Sequence, residues 1–301
     1  MTDRLSQSLR LLDGRALAYA DYGTPEGKPV FYFHGLGGSR LEAAMLDVDD
    51  FVRAGVRLIA PDRPGMGGSD FQPGRSFTGW PADVVALADR LGLEKFGVFG
   101  VSGGGGYVSA CACLIPERLT AAVIVSGAGA MDSPEARAGL PFMARLMYRL
   151  AARSVPLTST LLNLTKPRKL ADPDAIRKQM KRSLPPGEAA FIEKPGRLEA
   201  FILSGAESMR QGVDGIAWDT HLYARPWDIR LEDIHIPVRL LHGEADRNVP
   251  VAVARKVAAS IPGCHATFYP GEGHFATVGN HLDEVRLILV NSPLDKSACL
   301  S

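Results

Sequence analysis

"FGVFGVSGGGGYVSAC", residues 96–111, holds a serine between glycines at the end of an apolar run, with four consecutive glycines behind it. The run at 96–101 suits a buried strand, and the small and apolar residues after the glycines suit a helix. A strand that ends on Gly100-Val101-Ser102-Gly103-Gly104 and opens directly into a helix places Ser102 on a strained turn. Glycines around it remove side chains that would collide with the neighbouring strand and helix. Ser102 is therefore the candidate nucleophile. The competing reading is a flexible glycine linker with a buried serine, and in a chain with 32 glycines the short pattern alone separates the two only modestly. Its position between strand and helix favours the nucleophile.

Outward from this stretch the chain alternates. RLLDGRALAYADYG at 10–23 reads as a hairpin, with Asp13-Gly14 supplying the positive φ angles of a tight two-residue turn. Short apolar runs follow at 29–34, 56–62, 95–100 and 119–127, separated by helix-like stretches, and two more at 238–243 and 265–270 flank a helical VAVARKVAASI. This alternation predicts an α/β fold with a mostly parallel eight-stranded sheet flanked by helices. Between 129 and 228 the strand signal vanishes and helical segments alternate with Pro-rich breaks, which predicts an inserted helical cap. The core then comprises 1–128 and 229–290, a last helix lies around HLDEVRLILV, and 291–301 reads as a frayed tail.

A serine hydroxyl needs a base to take its proton and a third group to orient that base. In an open parallel sheet such groups gather outside the carboxyl ends of the strands. Asp246, in HGEAD after the run at 238–243, and His274, in PGEGHF after the run at 265–270, satisfy that condition. The order Ser102, Asp246, His274 also fits this architecture. His242 is the rival base, Asp132 the rival acid, and Glu244 a weaker one. Two backbone N–H groups should hold the oxyanion, those of Gly103 and Leu36, with Gly35 and Gly37 as alternatives to Leu36. His34 in the same loop reads as structural. Gly103 and Gly104 fit close packing, whereas Gly105 and Gly106 suggest either open space beside the nucleophile or cap, or neutral substitution.

The hairpin start, HGLGG at 34–38, DRPGMGGSD at 62–70, GVSGGG at 100–105, HGEAD at 242–246 and GEGH at 271–274 together resemble the α/β-hydrolase superfamily over nearly the whole chain. The resemblance implies a serine hydrolase with a helical cap, assigns the triad to Ser102, Asp246 and His274, and gives Asp62, Arg63 and Ser69 a scaffolding role. Dehalogenases and epoxide hydrolases of this fold look similar but carry an aspartate where this chain has Ser102, which disfavours both activities. The expected activity is cleavage of carboxylic esters of small to medium, largely apolar substrates through an acyl-enzyme, with no metal or organic cofactor. Thioester, lactone, amide or C–C bond cleavage, or acyl transfer, would use the same residues. A capped-hydrolase-like receptor with negligible turnover is the alternative of another class.

In the insertion, Met143, Leu146, Met147 and Leu150 fall on one helical face, so Phe142, Met143, Leu146 and Met147 are candidates for an apolar acyl pocket. Trp218, Tyr223 and Trp227 either border the site or dock the last inserted helix. The basic run at 166–182 reads as a solvated face.

Composition excludes other classes. A net charge of +1 with 22% charged and 46% apolar residues gives no electrostatic case for nucleic acid. No apolar stretch is long enough to span a membrane, and the amino terminus lacks a signal-peptide pattern, so a cytoplasmic location is expected. Cys111, Cys113, Cys264 and Cys299 form no metal-ligand pattern and read as reduced.

Overall fold

The Asp13-Gly14 turn opens the sheet, but only its glycine takes a left-handed conformation. In the computed structural model, which describes residues 2–166 and 172–292, β1 (Gln7–Arg10) pairs antiparallel with β2 (Ala16–Tyr22). Gly14 has φ +87°. Leu11 N–H donates to Arg15 O at 2.8 Å, and Gly14 N–H donates to Leu11 O at 3.0 Å. The connection is a three-residue hairpin loop with glycine at the bulge, not the two-residue turn that Asp-Gly predicts. That loop needs one left-handed residue where the shorter turn needs two.

Strands β3 (Lys28–Phe33), β4 (Val56–Pro61), β5 (Phe96–Val101), β6 (Leu119–Val125), β7 (Val238–Gly243) and β8 (Cys264–Tyr269) complete an eight-stranded sheet. The spatial order is β1-β2-β4-β3-β5-β6-β7-β8. β2 and β4 are antiparallel, and every pairing from β4 onward is parallel. Alternate residues face opposite sides: Val30 and Tyr32 enter one hydrophobic cluster, Phe31 and Phe33 the other. Helices Trp80–Arg90, Gly105–Leu114 and Val251–Ser260 cover one face, while Val48–Arg53 and Leu282–Asn291 cover the other. Burial on both faces explains why β5 is a continuous apolar run and β4 is apolar except at Arg57.

Between β6 and β7 the described residues form helices Phe142–Arg153, Val155–Thr165, Pro173–Ser183, Pro186–Glu193, Arg197–Ser208 and Asp214–Tyr223, and no strand. Phe191, Ile192, Leu198 and Ala200 of this insertion share a cluster with Tyr32 and Val101 of the sheet. The insertion and the sheet thus have one core in common. Within the basic run, residues 167–171 lie outside the described residues, and Arg177 bonds to Glu199 at 2.6 Å. Of the tail, residues 293–301, with Cys299, also lie outside them. Cys111, Cys113 and Cys264 are free thiols. Among the described residues no His, Cys, Asp and Glu group could hold a metal ion, and no helix is long and apolar enough to cross a membrane.

Candidate active site

At the end of β5 the backbone turns through Ser102 at φ +53°, a left-handed conformation that costs a non-glycine residue roughly 1–2 kcal/mol. Close packing on either side holds it there. A Cβ added to Gly100 would lie 2.6 Å from Gly104 O, and one on Gly103 would lie 2.6 Å from Leu36 N. One on Gly104 would collide with Phe33 O. The next two glycines are also packed, contrary to the reading that they leave space or are neutral. A Cβ on Gly105 would come within 3.1 Å of Gly127 Cα, and one on Gly106 within 2.7 Å of both Phe77 Cε1 and Tyr223 Oη. Gly106 N–H donates to Tyr223 Oη at 3.1 Å, and the Tyr223 hydroxyl donates to Gly103 O at 2.6 Å. The glycine run lets one tyrosine from the insertion reach the turn behind Ser102.

His274 begins the helix His274–Asn280 beyond β8. Its Nδ1 lies 2.7 Å from Asp246 Oδ2. The other oxygen, Asp246 Oδ1, accepts the N–H groups of Asn248 at 2.7 Å and Val249 at 2.9 Å, which fixes the carboxylate after β7. Burial disfavours the imidazolium, yet Asp246 beside it, with Glu188 and Glu42 farther off, holds His274 above its ordinary value of 6.5. Burial raises Asp246, but the His274 charge and hydrogen bond, with the Val249 N–H, bring it below the usual carboxylate range. Ser126, at φ +49° just after β6, donates its hydroxyl to His274 O at 3.1 Å and steadies the start of the same helix.

None of the rival residues takes the place of His274 or Asp246 in this pair. His242 is fully buried, with Nε2 3.0 Å from Val249 O, and burial pushes its pKa down. Glu244 pairs with Arg255 at 2.5 Å. Asp132 Oδ1 is buried without a partner among the described residues, and the acid beside His274 is Asp246. His34 is buried in its loop, with Nδ1 2.9 Å from Gly35 O, and burial holds it well below 6.5.

Leu36 and Gly103 come together. The position of a Gly103 Cβ beside Leu36 N places the two backbone segments side by side, and among the described residues Leu36 N–H donates to no protein acceptor. Gly35 N–H, by contrast, is taken by Glu42 Oε1 at 2.6 Å. The loop is held from behind: Arg63, fully buried, donates to His34 O and, at 2.8 Å, to Gly35 O. Its Nε donates to Asp219 Oδ2 at 2.8 Å. Asp219 also accepts from Arg75 and Tyr107. Burial opposes its charge, but Arg63 and Arg75 lower its pKa to about 2. Asp62 accepts from Arg40 N–H at 2.6 Å and Gly68 N–H at 2.9 Å, while the Ser69 hydroxyl donates to Asp62 O and receives Ala18 N–H.

Ser102, His274, Leu36 and Glu42 line one cavity of about 210 Å³. Its apolar wall comes from Phe191 and Phe201 of the insertion and from Phe275, Met45 and Val278. Phe142, Met143, Leu146 and Met147 lie outside this lining. Phe142, Met143 and Leu146 are exposed, because helix Phe142–Arg153 turns Ala144, Tyr148 and Ala151 inward. Small residues there allow close approach to helix Asp214–Tyr223, whose His221 Nδ1 lies 2.7 Å from Ala151 O. Trp218 is also outside the cavity lining; its indole donates to Arg75 O at 2.8 Å. Tyr223 and Trp227 pack on Phe77 at centroid distances of 5.2 and 4.9 Å, so these aromatics dock the insertion.

Phe191, Phe201, Glu42, Glu188 and Asp219 escaped the reading of the sequence. One signal was present for Glu42: Ser39-x-x-Glu42 matches a helix capping box.

The model for the alpha/beta hydrolase fold matches residues 28–280. A 2-hydroxy-6-oxo-6-phenylhexa-2,4-dienoate hydrolase from Burkholderia cepacia is 29% identical over 83% of this chain and 82% of its own. A bifunctional esterase/perhydrolase from Acinetobacter calcoaceticus is 26% identical over 87% of this chain and 90% of its own. Among solved structures, an esterase from Rhodococcus sp. ECU1013 superposes with a TM-score of 0.67 at 22% identity, covering 96% of this chain and all of that one. With the family match spanning most of the sequence and the eight-stranded sheet beneath it, this chain belongs to the alpha/beta hydrolase fold family.

Proposed function

We propose that this α/β-hydrolase is a serine esterase that cleaves carboxylic esters of small to medium, largely apolar acyl groups through an acyl-enzyme. The observation that carries this reading is Ser102 at φ +53° in the same cavity as His274, whose second ring nitrogen is held by Asp246 at 2.7 Å. Ser102 Oγ attacks the ester carbonyl while His274 takes its proton, and the Leu36 and Gly103 N–H groups stabilise the oxyanion. His274 then returns the proton to the leaving alkoxide, and the C–O bond breaks. Water, deprotonated by His274, releases the acid by the reverse sequence and restores Ser102. The mostly apolar wall and modest volume of the cavity support small acyl groups.

Hydrolysis of p-nitrophenyl butyrate by the wild type and by Ser102→Ala, with matched circular dichroism spectra, tests this. Turnover by the wild type alone is expected; equal rates from both proteins would remove Ser102 from the reaction. The similarity to the Burkholderia cepacia hydrolase supports a second reading, hydrolysis of a C–C bond at the same residues, which product analysis on a vinylogous diketone separates from ester cleavage.

A further inference from the structure

Glu42 carries the capping-box spacing, but the box is not closed. Ser39 Oγ accepts Leu41 N–H at 3.4 Å, while Ser39 N–H donates to Ser204 Oγ at 2.9 Å and not to Glu42. The Glu42 side chain reaches the other way. Its Oε1 accepts the Tyr32 hydroxyl at 2.7 Å and Gly35 N–H at 2.6 Å. Its Oε2 has no protein partner among the described residues, and Glu42 lines the cavity that holds Ser102 and His274.

The glycines beside it keep that oxygen open. A Cβ added to Gly35 would sit 3.4 Å from Glu42 Oε2 and 3.5 Å from Ser102 Cβ, so it would fill the gap between the carboxyl group and the nucleophile. A Cβ on Gly38 would strike Oε2 itself. The Gly35 N–H can only donate, and the Tyr32 hydroxyl donates to the same oxygen, so Oε1 is filled as an acceptor and a proton on this carboxyl group is best placed on Oε2. Oε2 accepts a hydrogen bond when ionised and donates one when protonated. Burial outweighs the bonds from Tyr32 and Gly35 and the charges of Arg63 and His274, and raises the carboxyl above its usual range. Glu42 Oε2 thus brings a polar atom to a cavity whose apolar lining includes Phe191, Phe201, Phe275, Met45, Leu46 and Val278, where a ligand group that hydrogen-bonds to it binds better than one that displaces its water without replacing the bond.

We infer that Glu42 is a recognition residue: its free Oε2 receives a hydroxyl group on the acyl part of the substrate, making hydroxyacyl esters the preferred class. A hydroxyl matches either protonation state, because it both donates and accepts. This inference rests on the ester reading above for its reaction, but not for its binding.

The experiment compares kcat/KM for p-nitrophenyl butyrate with that for the 2-hydroxybutyrate and 3-hydroxybutyrate esters, in the wild type and in Glu42→Leu. The wild type should favour at least one hydroxy ester by about tenfold, and Glu42→Leu should erase the preference. A purely structural clamp on Gly35 would lower all three rates together and leave their ratios unchanged, which would overturn the inference. So would a wild type that shows no preference. Calorimetry on Ser102→Ala, with butyramide and its 2- and 3-hydroxy derivatives, repeats the test without turnover or a Glu42 variant. Tighter binding of a hydroxylated amide is expected, and equal affinities overturn the inference. If the esters are not hydrolysed yet a hydroxylated amide binds more tightly, the ester reading falls and the role of Glu42 stands.

Discussion

A serine at φ +53° keeps its place because the glycines at 100, 103 and 104 let β5, the 34–38 loop and the following helix close around it. That geometry puts Ser102 in the cavity lining, and in the proposed mechanism turnover depends on whether His274 is neutral. Asp246, Glu188 and Glu42 hold the imidazole above 6.5, so the protonated, inactive form persists to higher pH than for a free histidine. The pH profile of kcat/KM should therefore rise through an apparent pKa above 6.5 and fall away on the acid side. A limb centred below the ordinary histidine value would contradict the assignment of His274 as base. Asp246→Asn removes the nearest carboxylate and lets the imidazole adopt the wrong tautomer; a loss in kcat of about 10⁴ is expected from other triads. Activity unchanged in Asp246→Asn and abolished in Asp132→Asn would move the acid to Asp132.

Among the elements, legibility in the sequence followed the strength of the local signal. β4 and β5 are apolar at nearly every position because both faces of the sheet are covered, and their runs could be read directly. The hairpin was legible but its turn was not, since Asp-Gly suits a two-residue turn as well as a three-residue loop ending in a left-handed glycine. The inward face of helix Phe142–Arg153 was hidden because alanines 144 and 151 carry little hydrophobic signal beside the exposed Phe142, Met143 and Leu146. The glycine run was misread at positions 105 and 106 because its constraint comes from Tyr223 and Gly127, distant in sequence. Gly106→Ala should push a methyl group into Phe77 and the Tyr223 hydroxyl and destabilise the protein by about 1–3 kcal/mol, measured by denaturant unfolding. An unchanged unfolding midpoint would show that this packing relaxes at no cost.

Across the molecule, the insertion is tied to the segments that hold the proposed catalytic residues. Glu188 accepts Phe275 N–H at 3.0 Å and Ala276 N–H at 3.2 Å, and so caps the helix that begins with His274. Glu188→Gln should shift the acid limb of kcat/KM to lower pH, because a carboxylate that raises His274 is removed. A limb that stays in place would confine Glu188 to packing. Asp219 also neutralises two buried guanidinium groups, that of Arg63, which braces the 34–38 loop, and that of Arg75. Asp219→Ala would leave two guanidinium groups buried without it, at a cost of about 3–5 kcal/mol, read as a lower denaturant midpoint. No change would mean that water reaches both arginines. The proposed triad residues stood out in the sequence because each follows a strand within a short glycine-containing motif. Glu42, Glu188 and Asp219 were not. Glu42 resembles an ordinary cap, and Arg63 and Asp219 meet across 156 residues, a separation that leaves no local pattern.

If Ser102 carries the acyl group, intact-protein mass spectrometry after acid quenching of a reaction with p-nitrophenyl butyrate detects it on the protein. The wild type should yield a species heavier by one butyryl group, mapped by peptide digestion to Ser102 and missing from Ser102→Ala. Rapid release of nitrophenol with no such species at any quench time, or the butyryl group on another residue, would contradict that role for Ser102.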